Sequence, residues 1–475
     1  MEPLKKLGTV SPVKSVNVGH SPIGIGFEKL DRDVFDPENA YDKVADIGVK
    51  WVRIQSGWAK TEKEKGVYDF AWLDGIIDNL IRRGLTPWMC LCYGNGIYNE
   101  KAAGVFGAVG VPPIHSEEEK QAWAKYVEAL TARYHGKIEW YEVWNEPDGV
   151  WCWKHGPNGR EYSEFVKATA AAIRAGDPTA KVIGGSTCIR DLEWINDVFL
   201  TGAAGVMDAL TYHYYIPDEE NCFDRIRALR SLCKRYNPDM ILIQGETGAQ
   251  TSSKGQGAMA GCAWTPERQA KFMARHIICD LMDEVMFASY FSCLDMIEAL
   301  NGTVGDLGSY QDYGFFGVLA AEFDGQGRAI GEYKPKPSYR TLQTLAAIFR
   351  EDFARADLPV DFLQEDYIEW RMSRRLLRRE DPGKELITTG FTRLDGSAAF
   401  AYWKPTELLT TSYEATVSFE CATLPEKVRL IDIVDGSIYE IPDEMIEDNG
   451  RGHRRFISLP LRDYPLLLTF GDFVL

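Results

Sequence analysis

Between about residues 20 and 350, short apolar runs alternate with longer segments whose apolar positions recur at helical spacing. That alternation is the mark of repeated βα units. "SPIGIGFEKL" predicts a first strand, and "AYDKVADIG" a helix that stops at Gly48. "VKWVRIQSGW" predicts a second strand, and "FAWLDGIIDNLIRRG" a helix ended by Gly84, since glycine readily adopts the left-handed turn that closes a helix. Strands three to eight are read in "LTPWMCLCYGN", "IEWYEVWNEP", "AKVIGGST", "DALTYHYY", "MILIQGETG" and "VMFASYFSCLD". Eight strands with intervening helices predict an α/β fold, a (β/α)8 TIM barrel over residues 20–350. A doubly wound sheet is the competitor. It usually carries a glycine-rich phosphate loop, and neither GxGxxG nor GxxxxGK[ST] occurs here.

After residue 350 the helical period fades. Strand-length runs broken by turn signals such as Leu394-Asp395-Gly396 and Val434-Asp435-Gly436 predict a C-terminal β-sandwich domain over 351–475. Residues 1–19 are expected to pack on it. No exposed aromatic cluster is evident there, so a packing role against the barrel is favoured over carbohydrate binding.

Composition narrows the partners. A chain of 475 residues suits one barrel plus a smaller unit, and 45% hydrophobic residues allow a sizeable core. The net charge of −17 argues against nucleic acid and anionic membrane. "MEPLKKLGTVSPVKSV" has no apolar stretch after its lysines, and no run of about 18 apolar residues exists, so a cytoplasmic protein that spans no membrane is expected. The ten cysteines are scattered in apolar segments and read as buried free thiols. Seven isolated histidines, with no HxH, HExxH or CxxC, make a metal site unexpected, and no cofactor is called for. The sequence leaves a monomer and a homo-oligomer both open.

In a barrel, functional groups gather where strands end. Glu146 closes the fourth strand and Glu246 the seventh, so two carboxylates can converge over the mouth. Such a pair is the minimal equipment for glycoside hydrolysis, one acid for the leaving oxygen and one carboxylate facing the anomeric carbon. Either glutamate alone is as readily a salt-bridged acid. Strand alternation turns Trp140, Glu142 and Trp144 inward beneath them, Glu142 as a structural acid. Among thirteen tryptophans, Trp58, Trp151, Trp153 and Trp264 follow strand ends. Each is a candidate wall for stacking on sugar faces, or equally an aromatic that pins a loop. Glu28, Tyr93 and Asn95 are candidates for lining the glycone pocket. The glycine-rich segment 252–264 reads as a lid or as an irregular loop, and the insertion 301–339 as a wall of the cleft.

"WYEVWNEP" on strand four together with "GETG" on strand seven resembles clan A of the retaining glycoside hydrolases, most closely family 39, the β-xylosidase and α-L-iduronidase group. The resemblance covers the barrel order and the later β-domain. It implies an exo-acting glycosidase on β-linked oligosaccharides or small glycosides, working through a covalent glycosyl-enzyme. Carried over by position, Glu146 is the general acid/base and Glu246 the nucleophile. Asn145 would bind the sugar 2-hydroxyl and Arg53 would hold Glu246 ionised. Tyr215 would donate to the nucleophile, with His213 near the acid/base. Where the clan often has a tryptophan on strand eight beneath the sugar, this chain has Tyr290 and Phe291. A catalytically silent carbohydrate-binding barrel is the alternative, disfavoured because both glutamates keep their supporting residues.

Overall fold

Eight parallel strands close on themselves in the order β2 (Ile23–Gly26), β3 (Trp51–Gln55), β4 (Thr86–Leu91), β5 (Trp140–Val143), β6 (Lys181–Thr187), β7 (Ala209–His213), β8 (Ile241–Thr247) and β9 (Ala288–Tyr290), with β9 pairing back onto β2. This computed structural model describes residues 4–103, 107–188, 191–218, 223–298, 312–363 and 386–474. An outer ring of helices covers the barrel: α1 (Tyr41–Ala45), α2 (Trp58–Thr61), α3 (Ala71–Arg82), α4 (Glu117–Arg133), α5 (Gly159–Gly176), α6 (Leu192–Leu200), α7 (Phe223–Tyr236), α8 (Pro266–Met282) and α9 (Pro337–Ile348).

Local chemistry sets where the longer helices begin. Ser116, Asn158 and Thr265 cap α4, α5 and α8 by accepting otherwise unpaired first-turn N–H groups. At α4 the cap is reciprocal, because the Glu119 carboxylate reaches back to the His115 N–H at 2.9 Å. Helix α3 then buries one apolar stripe against the strands, through Leu73, Ile76, Ile77 and Leu80.

The barrel floor is a separate aromatic layer. Trp88, Trp140, Ile183, Ala209, Ile243 and Phe287 fill it, and Trp51 stacks on Phe287 at 4.4 Å. Above this layer the interior turns polar, with Arg53, Glu142 and Thr211 all buried.

An N-terminal strand, β1 (Lys5–Thr9), leaves the barrel altogether. It pairs antiparallel with Ser437–Glu440 at the edge of a seven-stranded sheet, which faces a four-stranded sheet of Val360–Phe362, Glu414–Ala422, His453–Arg462 and Ile446–Asp448. The two sheets enclose their own apolar cluster, including Phe400, Phe419, Phe456 and Phe470. The fold is thus the expected TIM barrel with a β-sandwich. The nine cysteines among the described residues are all free thiols, and no helix among those residues is long and apolar enough to cross a membrane.

Buried cations fasten the sandwich to the barrel, Lys271 and Arg393 among them. Lys271 on α8 meets both oxygens of Asp463 at 3.1 Å. Arg393 donates to the Ile348, Arg350, Asp352 and Phe473 carbonyls at 2.8–3.1 Å, and its guanidinium lies over the Phe473 ring. These carbonyls include the end of α9, where a cation also meets the negative pole of the helix. Arg393→Met should therefore leave several buried carbonyls unpaired and lower the unfolding free energy by roughly 3 kcal/mol, read as an earlier denaturant midpoint. A midpoint equal to that of the unmutated chain would remove Arg393 from this role.

Candidate active site

Strand β5 carries Glu142 into the barrel interior, and the backbone then breaks its extended path. Trp144 and Glu146 both take left-handed conformations, at φ 69° and 45°. Two such departures at non-glycine residues are unusual and cluster at functional sites. They end the period-two alternation, so Asn145 and Glu146 reach the barrel mouth while Trp144 turns away. The expected inward position of Trp144 is corrected on this ground: its ring packs against Trp123, Phe165 and Trp153, and its N–H donates to the Cys152 carbonyl at 2.9 Å. Irregular registers at the ends of β6, β7 and β8 re-aim His213 and Glu246 in the same way.

One guanidinium organises what gathers there. Arg53 has no accessible surface. Its Nε and one terminal nitrogen hold Glu142 Oε2 at 3.0 and 2.5 Å. The other terminal nitrogen donates to Glu246 Oε2 at 2.5 Å and to Glu28 Oε1 at 3.2 Å. Asn145 Oδ1 accepts a further bond at 2.8 Å. Burial works against the charge on Arg53, but Glu142, Glu28 and Glu246 outweigh it and keep the guanidinium protonated.

Glu246 also accepts from the Tyr215 hydroxyl at 2.5 Å. Burial and the neighbouring Glu246 raise the Tyr215 pKa well above the phenol range, so it remains a donor. Glu146 Oε1 meets His213 Nδ1 at 3.0 Å, and its Oε2 accepts the indole N–H of Trp151. His213 Nε2 is paired with Ser186 Oγ at 3.1 Å. Burial opposes a charge on His213, yet Glu246 and Glu146 raise its pKa overall. One atom from each of Glu146, His213 and Glu246 lies within 4.8 Å of the other two, so an oxygen of each carboxylate approaches the other that closely. The same trio has a donor set a metal ion accepts, but Arg53 already supplies a cation to it.

Glu28 is the third acid at the mouth and is 2% exposed. Burial, more than any neighbour, pushes its carboxyl up to about 7; Arg53 pulls the other way and Glu246 adds to the rise. Glu28 thus resists ionisation although it touches Arg53.

Several other expected site residues lie elsewhere. Trp58 has no accessible surface; its N–H is spent on Glu62 at 2.5 Å and its ring stacks on Tyr98. Trp153 is equally sealed, bonded to Glu161 and packed on Tyr162. Trp264 is buried edge-on against Phe272. None of the three can stack on a sugar. Asn95 is corrected too, because its amide ties the loop by donating to the Glu62 carbonyl at 2.8 Å. Tyr290 is buried with its hydroxyl on Ala249, and the strand-eight aromatic beside Glu28 is Phe291, which meets Phe316 at 5.5 Å. Trp151 alone of the four loop tryptophans is well exposed, at 41%.

Tyr93 stands with residues the sequence did not single out. Its hydroxyl accepts from Gln55, and Arg32 lies over its ring. Gln55 shares strand parity with Arg53, a signal that was available. Lys29 pairs with Glu298 at 2.8 Å, and nothing local in the sequence marks Glu298 for this place. The glycine-rich segment 252–264 is fastened by Gln250, whose amide donates to the Gln256 and Ala258 carbonyls. Of the insertion 301–339, residues 301–311 lie outside the described residues.

Residues 35–226 match the family profile of glycosyl hydrolases family 39. The chain is similar to the family 39 glycosyl hydrolases. A β-xylosidase of Geobacillus stearothermophilus is 29% identical over 142 residues, which are 28% of this chain and 27% of that protein. A β-galactosidase of Clostridium cellulovorans is 32% identical over 149 residues, 27% of this chain and 22% of that one. The chain thus spans about a quarter of the length of these curated relatives. Among solved structures, a family 39 glycoside hydrolase of Bacteroides cellulosilyticus superposes with a TM-score of 0.64 at 15% identity, covering 95% of this chain and 81% of the other. A β-xylosidase of Caulobacter crescentus gives 0.59 at 17% identity, with 98% of both chains covered. These structures share the barrel and sandwich of this family 39-like chain.

Because the folded Glu28 holds its proton to about pH 7 while an unfolded glutamate ionises near 4.5, folding stability should fall as pH rises between those values and level off above. Glu28→Gln removes that slope. Denaturant unfolding at pH 4.5 and 7.5 should show the variant gaining on the wild-type chain by up to about 3 kcal/mol, at about 1.4 kcal/mol per pH unit. A difference independent of pH would place the Glu28 proton elsewhere.

Proposed function

We propose that this chain is a retaining glycoside hydrolase, exo-acting on β-linked oligosaccharides or small glycosides. The observation that carries the reading is the approach of Glu146 and Glu246 to within 4.8 Å, each held by different partners. Retaining enzymes keep their carboxyl groups roughly 5–5.5 Å apart, whereas inverting enzymes leave room for a water at about 6.5–9.5 Å.

The two environments divide the labour. Glu246, between Arg53 and Tyr215, is stabilised as the carboxylate that attacks the anomeric carbon. Glu146 gives its proton to the glycosidic oxygen as the C–O bond breaks, and the bond electrons leave with that oxygen. Once Glu246 is esterified, Glu146 accepts a proton from water, and hydroxide oxygen displaces Glu246 from the sugar. Asn145, fixed by Arg53, is the group we assign to the 2-hydroxyl. Glu28, Tyr93 and Gln55 are assigned to the glycone side, with Phe291 beneath.

The Lys29–Glu298 and Arg32–Gln55 contacts support a pocket closed beyond Glu246, which takes one terminal sugar. Relatives named for β-xyloside and β-galactoside cleavage support a β-linked substrate. We assign catalysis to residues 20–350 and a packing role to 351–475, a division supported by the Arg393 and Lys271 contacts.

A panel of nitrophenyl β-glycosides should find at least one substrate, with the β-anomer formed first by NMR. Glu146→Ala should slow it by roughly 10²–10⁴-fold, and much less when the leaving group is dinitrophenolate, which needs no proton. Glu246→Gly should be inactive and partly rescued by azide as an α-glycosyl azide. Sugar binding without cleavage of any glycoside would instead support a silent binding barrel.

A further inference from the structure

Trp151 stands apart from the other tryptophans in two ways. Its ring and the adjoining Val150 leave apolar surface exposed, at 41% and 62%, while its N–H donates to Glu146 Oε2. An indole nitrogen can only donate, so while it holds Oε2 it screens that oxygen from a leaving group. The other oxygen, Oε1, faces His213, which has no accessible surface. The open side of the acid is therefore the side that Trp151 occupies.

We propose that Trp151 is a movable aglycone platform: it steps off Glu146 when a leaving group enters, and its ring then stacks on that group. The proposal rests on the glycosidase reading and extends it to the leaving group, which should carry a flat apolar face, such as an aryl aglycone or a pyranose. Displacing the indole frees Oε2 to carry the proton that passes to the leaving oxygen.

The local backbone is suited to this movement. Trp151 lies against Gly149, where an added Cβ would meet the ring at 2.5 Å. The indole thus rests on the bare backbone of Gly149. Just upstream, Asp148 is fixed by Thr187 and by the Cys188 N–H, so the hinge begins from an anchored point. The groups facing Glu146 are His213 and Tyr215 from β7 and the segment after it, Glu246 from β8, Cys152 from its own loop and Cys188 after β6. None of them replaces the indole as a donor to Oε2.

The test uses phenyl and methyl 1-thio-β-glycosides of xylose and galactose, which resist hydrolysis, titrated calorimetrically into the full chain. For the preferred sugar, the phenyl compound should bind about 3–10-fold more tightly than the methyl compound, the range of one aromatic contact. Trp151→Ala should abolish that advantage and leave methyl binding within about twofold, since a methyl group offers the indole no face to stack on. Gly149→Ala, which dislodges the ring without deleting it, should reduce the advantage. Trp151→Phe should keep the advantage, yet extend the alkaline limb of kcat/KM to higher pH, because a donor that favours the ionised acid is gone. An undiminished phenyl advantage in Trp151→Ala, or an unmoved limb in Trp151→Phe, would overturn the proposal while leaving the glycosidase reading intact. If no thioglycoside binds at all, the glycosidase reading falls and takes this one with it.

Discussion

A single buried arginine holds the site together. Arg53 bonds at once to groups on β5 and β8 and just past the ends of β2 and β5, through Glu28, Glu142, Asn145 and Glu246. Removing a charge of this kind from water is costly, and the cost is recovered only when every N–H finds an acceptor in good geometry. Four acceptors around one planar fork meet that condition. Burial raises the Glu28 carboxyl to about 7 against the pull of Arg53, and Glu246 adds to the rise. Arginine suits this place better than lysine because its donors are spread in a rigid plane and can serve several carboxylates in fixed directions.

Much of this was legible in the sequence, because barrel architecture converts strand order into spatial order. Arg53, Glu142, Asn145, Glu146, His213, Tyr215 and Glu246 meet where the strand ends put them, and the resemblance to the family 39 hydrolases follows from the same segments. What escaped prediction depends on packing beyond the strand. Trp58, Trp153 and Trp264 look like subsite walls in one dimension, but their large apolar rings gain more by filling space between loops and helices than by facing water. The left-handed turns at Trp144 and Glu146 were also invisible, since neither is glycine and no local residue signals them. Gln55 was within reach of a parity argument. Lys29 and Glu298 were not, because their pairing joins segments 269 residues apart.

The sandwich contributes by restraint. Arg393 caps the end of α9, and Lys271 ties α8 to Asp463, so two helices of the barrel wall are braced from outside. The first strand of the chain lies in the seven-stranded sheet, whose Phe391, Trp403 and Leu467 pack into the barrel's own core. Strands Lys5–Thr9 and Leu466–Phe470 therefore share one layer, although the whole barrel separates them along the chain.

The aromatic floor beneath Arg53 has a directional consequence. Trp51, Trp88, Trp140 and Phe287 shut the lower end of the barrel, so water reaches the polar layer from above alone. Charge displaced toward the mouth is met by solvent, while charge displaced downward meets hydrocarbon. On the proposed glycosidase reading, departure of a leaving group and arrival of the water that replaces it would share one doorway. In the proposed double displacement the second would begin only after the first has cleared the threshold.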